Sequence, residues 1–300
     1  SVLRHRAFST GRFDLGNMVQ AVWSTAHGHP LRVTDLAGEQ ISRLGSHFDP
    51  ILAALAPLWW IWPDPELLLA VQAIAVAAGA LPVFWLARKH LGAPPAAALA
   101  VAYLLYPPVQ WLTVSDFHPV ALACPLLLFA WWHLDERRLW AFAFLAAAAL
   151  ATKEHVGLAI ASMGIWYAVR HRGPRAGAAI AVAGAVAALV AVLVVVPHFA
   201  PTGSSAFESR YDSPTLDGRD LGYLAALLLP LALFPLAAPL AALAAVPELG
   251  LNLFSSTITQ TSVKTHYAAA AIPALIAATV FGAARVGRRS AYLAGVTALV

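Results

Sequence analysis

Eight apolar runs, at about 66–87, 94–112, 119–134, 139–152, 156–169, 176–196, 221–246 and 268–284, follow one another with few charges between them. A bilayer core of about 30 Å is crossed by roughly 20 apolar residues in helix. Backbone in lipid must satisfy its own hydrogen bonds, so each run is expected to be helical. Several runs fall short of a full span. Helices of about 14 residues cross only if the membrane thins or neighbours cover their ends. The composition agrees, with 60% hydrophobic and 11% charged residues, against about 25% charged in a soluble domain. The fold class expected is all-α, a polytopic transmembrane helical bundle.

The formal net charge of +4 comes from short basic clusters placed between apolar runs. That is the pattern of the positive-inside rule, and it argues against a nucleic-acid partner. The clusters "RKH" (88–90), "ERR" (136–138), "RHRGPR" (170–175) and "RVGRR" (285–289) are expected in the cytoplasm. The segments 1–65, 113–118, 153–155, 197–220 and 247–267 then fall on the other side. The chain divides into a first non-cytoplasmic loop, 1–65, and a helical bundle, 66–300. Parity requires "KEH", Lys153 to His155, to be a far turn between two helices. It also requires the run 221–246, with Pro230, Pro235 and Pro239, to be broken. Two stretches of the first loop, "FDLGNMVQAVWSTAHG" and "DPILAALAPLWWIW", are too short to span and are expected to lie in the interface. The polar start at Ser1 and the unfinished apolar run at the end suggest a fragment lacking helices at both ends. The chain is expected in a bacterial plasma membrane.

Ionisable motifs collect on the non-cytoplasmic side. They are "RFDLGN" with Asp14, "SHFDP" with His47 and Asp49, "SDFHP" with Asp116 and His118, "KEH" with Lys153, Glu154 and His155, and "KTHY" with Lys264, His266 and Tyr267. Ionisable residues at membrane depth mark function by default. Residues before proline are held extended, and positions i and i+2 of an extended segment face the same way. His47 and Asp49 are therefore expected to point together, as are Asp116 and His118. Such pairs can bind a metal, orient a base or hold a phosphate. The competing reading is helix capping by Asp49, Ser115 or Asp116, and an ordinary turn pair for Lys153 and Glu154. His90, His133 and His171, beside the basic clusters, are expected to face lipid headgroups. The segment 202–220 reads as a hydrophilic connector or lid. The sequence holds no P-loop, nucleophile elbow, zinc-protease motif or dinucleotide fingerprint.

The segments "FDLGNMVQAVW", "SHFDPILAALAPLW", "YLLYPPVQWLTVSDFHPVALACPLLLFA", "ATKEHVGL" and "HYAAAAIPAL" carry a resemblance. Over about 13–284 the chain resembles a bacterial family of predicted membrane proteins that is similar in fold to the C-type glycosyltransferases. The resemblance implies a membrane glycosyltransferase using a polyprenyl-phosphate-linked sugar. It implies that Asp14 corresponds to the first-loop acid that serves as base or helps hold a metal. Where such enzymes carry paired acids, this chain has Gly16 and Asn17 after Asp14, and Asp49 or Asp116 is the candidate second carboxylate. The catalytic candidates are Asp14, Asp49, Asp116 and Glu154. The substrate-binding candidates are His47, His118, Lys153, His155, His266 and Tyr267. A divalent cation, Mg²⁺ or Mn²⁺, is a candidate cofactor, with Asp14, His47, Asp49, Asp116 and His118 as candidate ligands. The expected partners are the bilayer and a polyprenyl-phosphate lipid. A transporter or flippase of a lipid-linked or anionic solute, and a non-catalytic scaffold, remain alternatives.

Overall fold

The computed structural model describes residues 1–203, 208–211 and 217–287. A short helix α1 (Val2–Arg6) precedes α2 (Arg12–Ala26). The chain then turns at Gly28 with φ 85° into an antiparallel hairpin, β1 (Arg32–Thr34) and β2 (Gln40–Ser42), with Val33 opposite Ile41. This hairpin is the one addition to an otherwise all-helical chain among the described residues. Helix α3 (Ile51–Trp59) follows Pro50, whose ring suits a helix start. Leu15, Met18, Val22, Leu52, Trp59, Leu68 and Phe117 close a small core that fastens this loop region to the bundle.

The bundle begins with α4 (Glu66–Ala78) and α5 (Ala80–Leu91), which run on as one 26-residue apolar span. Next come α6 (Ala93–Leu105) and α7 (Pro107–Val114), bent 49° from each other. One continuous helix was expected over 94–112. Pro107 and Pro108 lack the amide donors a helix needs, and Tyr106, ahead of them, sits at ψ 120°, outside the helical region. The Tyr106 hydroxyl fastens the break by donating to the Leu227 carbonyl at 2.7 Å.

Helices α8 (Ala123–Asp135), α9 (Leu139–Leu150) and α10 (Val156–Arg170) continue the bundle. Residues 151–155 make the turn that parity demanded between α9 and α10. Helix α11 (Pro174–Val190) runs through a π-helical stretch, Ala191–Val195, into α12 (Val196–Phe199). It packs on α10 through Gly157, Gly164, Gly177 and Gly184, where a β-carbon would overlap the backbone of the opposite helix. Small residues of this kind let apolar helices approach closely without a hydrophobic drive between them.

The run 221–246 is broken as expected. Helix α13 (Gly218–Leu228) ends before Ala232 and Leu233, both left-handed, and short helices α14 (Phe234–Ala237) and α15 (Pro239–Ala242) follow. Helix α16 (Val246–Leu253) leads to the "KTHY" loop, and α17 (Ala271–Val286) runs back through the centre of the main core, against Trp131 and Trp166. Among the described residues two helices, Glu66–Leu91 and Pro174–Phe199, are long and apolar enough to span alone. The shorter apolar helices include Leu139–Leu150, Val156–Arg170 and Ala271–Val286. The connector expected at 202–220 lies partly outside the described residues.

The basic clusters meet at one end of the bundle. Lys89 bonds the Asp135 and Glu136 carboxylates at 2.7 and 2.8 Å, and Arg137 Nε donates to His171 Nδ1 at 3.1 Å. Their histidines do not simply face headgroups. His90 Nε2 lies 2.9 Å from Asp135 Oδ2, because a buried carboxylate at a helix end draws in whatever donors the chain offers. His133 Nδ1 and His171 Nε2 are enclosed.

Candidate functional site

At the opposite end, loops from five parts of the chain pack together. Gln72 of α4, fully buried, organises the first of them. Its side-chain NH₂ donates to the Leu112 carbonyl at 2.9 Å and lies 3.3 Å from those of Ser115 and Asp116. Its oxygen accepts the His118 amide at 2.9 Å. One carboxamide therefore fixes the whole "SDFHP" turn. Asn252 of α16 does the same for the "KTHY" loop, donating to the Tyr223 hydroxyl and the Tyr267 carbonyl at 2.9 and 2.8 Å.

These anchors bring Asp14, His118 and His266 into one line. His118 Nδ1–H donates to the Asp116 carbonyl at 3.0 Å, which aims Nε2 at Asp14 Oδ2, 3.6 Å away. The His266 ring stacks on His118 at 3.6 Å. The His118 contact holds the Asp14 carboxyl below the usual carboxylate range, against the opposing effect of partial burial. Burial, with positive charge from His118 and Lys153, pushes His266 well below the ordinary imidazole range, so it stays neutral. Asp14 is the accessible member, its side chain 56% exposed.

A second group adjoins the first. Glu154 receives the Phe48 amide at 3.0 Å on one oxygen and lies 3.0 Å from His47 Nδ1 on the other. Lys153 Nζ sits 3.8 Å from Glu154 and also feels Asp49, Arg43 and Glu248. Burial lowers the Lys153 ammonium, and Glu154 and Asp49 oppose that shift. Glu154 lies well below the carboxylate range because Lys153 and His47 outweigh its burial. Arg43 clamps Asp49 Oδ2 with Nε and Nη2 at 3.0 and 2.8 Å, while Asp49 Oδ1 is enclosed without a partner. His155 Nε2 lies 2.7 Å from Glu248 Oε2, and this pairing raises His155 against the effect of its burial.

Two local expectations are corrected. His47 and Asp49 do not act together, since one turns to Glu154 and the other to Arg43. Nor do Asp116 and His118, because Asp116 Oδ2 accepts the Gly11 amide at 2.6 Å while His118 addresses Asp14. An i, i+2 rule fixes where a side chain starts, whereas partners from other loops fix where it ends. Capping of the following helix does not explain these side chains either: Asp49 Oδ2 goes to Arg43, Asp116 Oδ2 to the Gly11 amide and the Ser115 hydroxyl to the Leu112 carbonyl. Phe117 points away, fully buried in the small core. Tyr267 receives the Arg210 guanidinium at 3.3 Å, and Lys264 lies over the Trp111 ring at 5.6 Å. Of the candidate metal ligands, Asp14 and His118 meet each other, while His47, Asp49 and Asp116 go to separate partners. Among the described residues no three His, Cys, Asp or Glu side chains converge to hold an ion.

Arg43, Glu248 and Arg210 joined the site without having been singled out. Glu248 carried the clearest signal, as a carboxylate inside an apolar stretch. Arg43 carried almost none, since nothing in "ISRLG" distinguishes it from a surface cation.

The environment of His47 has a measurable consequence. Burial and the Lys153 charge depress its imidazole from 6.5 to about 3. Between those values the unfolded chain binds a proton that the folded chain refuses, so stability rises with pH across that window and is level above it. Glu154 acts in the same direction, since its stabilising charge is lost as pH falls below its unfolded value. A His47→Gln variant is expected to lose less thermal stability than the wild type between pH 6.5 and 4. Equal losses would show that His47 titrates normally.

A family model, described as a predicted membrane protein family, DUF2079, matches residues 4–300. No curated protein matches the sequence. Among solved structures, the crystal structure of ArnT from Cupriavidus metallidurans in the apo state is similar, with a TM-score of 0.60 at 20% identity. The likeness covers 92% of this chain and 56% of that one, so the chain spans about half the length of its structural neighbour. The chain belongs to the DUF2079 family. It is an integral membrane protein whose fold is similar to that of ArnT.

Proposed function

We propose that this member of the DUF2079 family is a membrane glycosyltransferase that takes its sugar from a polyprenyl-phosphate donor at the non-cytoplasmic face. The observation that carries the reading is the line Asp14–His118–His266 beside Lys153, an accessible carboxylate next to an enclosed ammonium in a fold shared with ArnT.

The chemistry asks for few groups. An acceptor hydroxyl attacks the anomeric carbon, and the bond from that carbon to the donor phosphate breaks. Asp14 takes the hydroxyl proton as the new bond forms. The departing polyprenyl phosphate keeps the bonding electrons, and its charge is met by Lys153 and by His118 when protonated. Glu154 and His47 keep Lys153 in place, and Asp49 with Arg43 supports the same loop. Asp116 ties the start of α2 to the "SDFHP" turn through Gly11, which sets the distance from Asp14 to His118. His155, paired with Glu248, and Tyr267, paired with Arg210, border the site as substrate contacts.

Sidedness is testable without a substrate. In the otherwise cysteine-free protein (Cys124→Ala), single cysteines at the exposed positions 14 and 264 are expected to react with a membrane-impermeant thiol reagent in intact cells. Cysteines at the exposed positions 88 and 172 are expected to react only after permeabilisation. The reverse pattern would place the site in the cytoplasm and remove this assignment.

A further inference from the structure

The Arg-rich end of the bundle holds two adjoining cavities that the proposed chemistry does not use. One, of about 390 Å³, is lined by Lys89, His90, Asp135, Glu136, Arg137, Arg170 and His171. The other, of about 500 Å³, is lined by Trp85, Arg88, Lys89, Trp132 and Glu136. They share Lys89 and Glu136, so a polar chamber opens beside an aromatic one.

The charges in the polar chamber are unevenly spent. Asp135 is already held by Lys89 at 2.7 Å and His90 at 2.9 Å, and Glu136 by Lys89 at 2.8 Å. Arg88, Arg137 and Arg170 have no carboxylate partner among the described residues. Arg137 instead gives its Nε–H to His171 Nδ1 at 3.1 Å. Accepting at Nδ1 leaves the neutral ring with its proton on Nε2. That Nε2–H is enclosed with no hydrogen-bond partner, and the nearest carboxylate oxygen, Asp135 Oδ1, is 3.9 Å away. An enclosed donor without an acceptor costs about 1–3 kcal/mol. Guanidinium groups beside such a donor match the oxygens of a phosphate.

We propose that this double cavity binds an anionic phospholipid, with its phosphate against Arg137, Arg170 and His171 and the start of an acyl chain along Trp85 and Trp132. A lipid is favoured over a soluble phosphate because the aromatic chamber is continuous with the polar one, and Trp85 and Trp132 lie 4.9 Å apart at the surface of the bundle. Basic pockets between helices at a membrane surface recognise anionic headgroups on these grounds. The inference does not rest on the glycosyltransferase reading, because the two sites lie at opposite ends of the bundle.

The test is native mass spectrometry of the full chain released from nanodiscs of equal phosphatidylglycerol and phosphatidylcholine. The wild type is expected to retain phosphatidylglycerol at least fivefold over phosphatidylcholine. Arg137→Gln with Arg170→Gln is expected to remove that preference. Arg32→Gln with Arg219→Gln, which removes equal charge elsewhere, is expected to keep it, and thermal melting confirms that both variants fold. Equal retention of the two lipids by the wild type, or the same loss in both double variants, would overturn the proposal. Displacement of the bound lipid by millimolar glycerol phosphate would overturn it in favour of a soluble phosphate ligand.

Discussion

Asp14→Asn is expected to lower sugar transfer by roughly 10²–10⁴-fold, the usual worth of a positioned general base, while leaving the folded protein intact. Asp14 is the half-exposed carboxylate of the cluster, and its carboxylate forms no buried ion pair, so the amide replaces it with little strain. Surface changes of this kind typically shift stability by less than about 0.5 kcal/mol. The loss is expected in turnover, with donor binding nearly unchanged, because in the proposed mechanism the carboxylate acts on the acceptor proton while Lys153 holds the phosphate. A loss confined to donor affinity would instead make Asp14 a binding group.

The second large effect is on folding. Arg43→Met is expected to destabilise the protein by roughly 3–5 kcal/mol, because it strands a buried carboxylate. Asp49 is 1% exposed, and Arg43 supplies both hydrogen bonds to Oδ2. Burial already pushes the Asp49 carboxyl above its ordinary range, with Arg43 the main opposing influence. Without the guanidinium, burial would push the Asp49 carboxyl higher still. Arg43→Met combined with Asp49→Leu is expected to recover much of the loss, since an apolar pair carries no desolvation cost. Thermal melts of the wild type and both variants in detergent check this. A double variant no better than the single one would mean that the pair is needed for more than mutual neutralisation.

The helices were legible because lipid leaves so few options. A run of apolar residues between basic clusters dictates a helix and its turn, which is why "KEH" fell where parity put it. Breaks were less legible. The prolines at 230–239 announced theirs, whereas the 49° bend at Tyr106 was hidden inside a run read as continuous. The polar motifs were visible as ionisable residues in apolar surroundings, and the loops that carry them do gather at one end. Their pairings were not visible. Glu154 with His47 and Asp116 with Gly11 are separated by about a hundred residues each, and no local rule sees across that distance. Cations such as Arg43 become meaningful only once burial is known.

The most direct measurement is donor consumption by the purified full-length protein in liposomes, with a panel of polyprenyl-phosphate-linked sugars and a parallel record of solute flux. The account predicts release of free polyprenyl phosphate from at least one donor, with the rate collapsing in Asp14→Asn and no accompanying flux. Movement of an intact lipid-linked or anionic solute across the membrane, with every donor left uncleaved, would contradict it and mark the protein as a transporter.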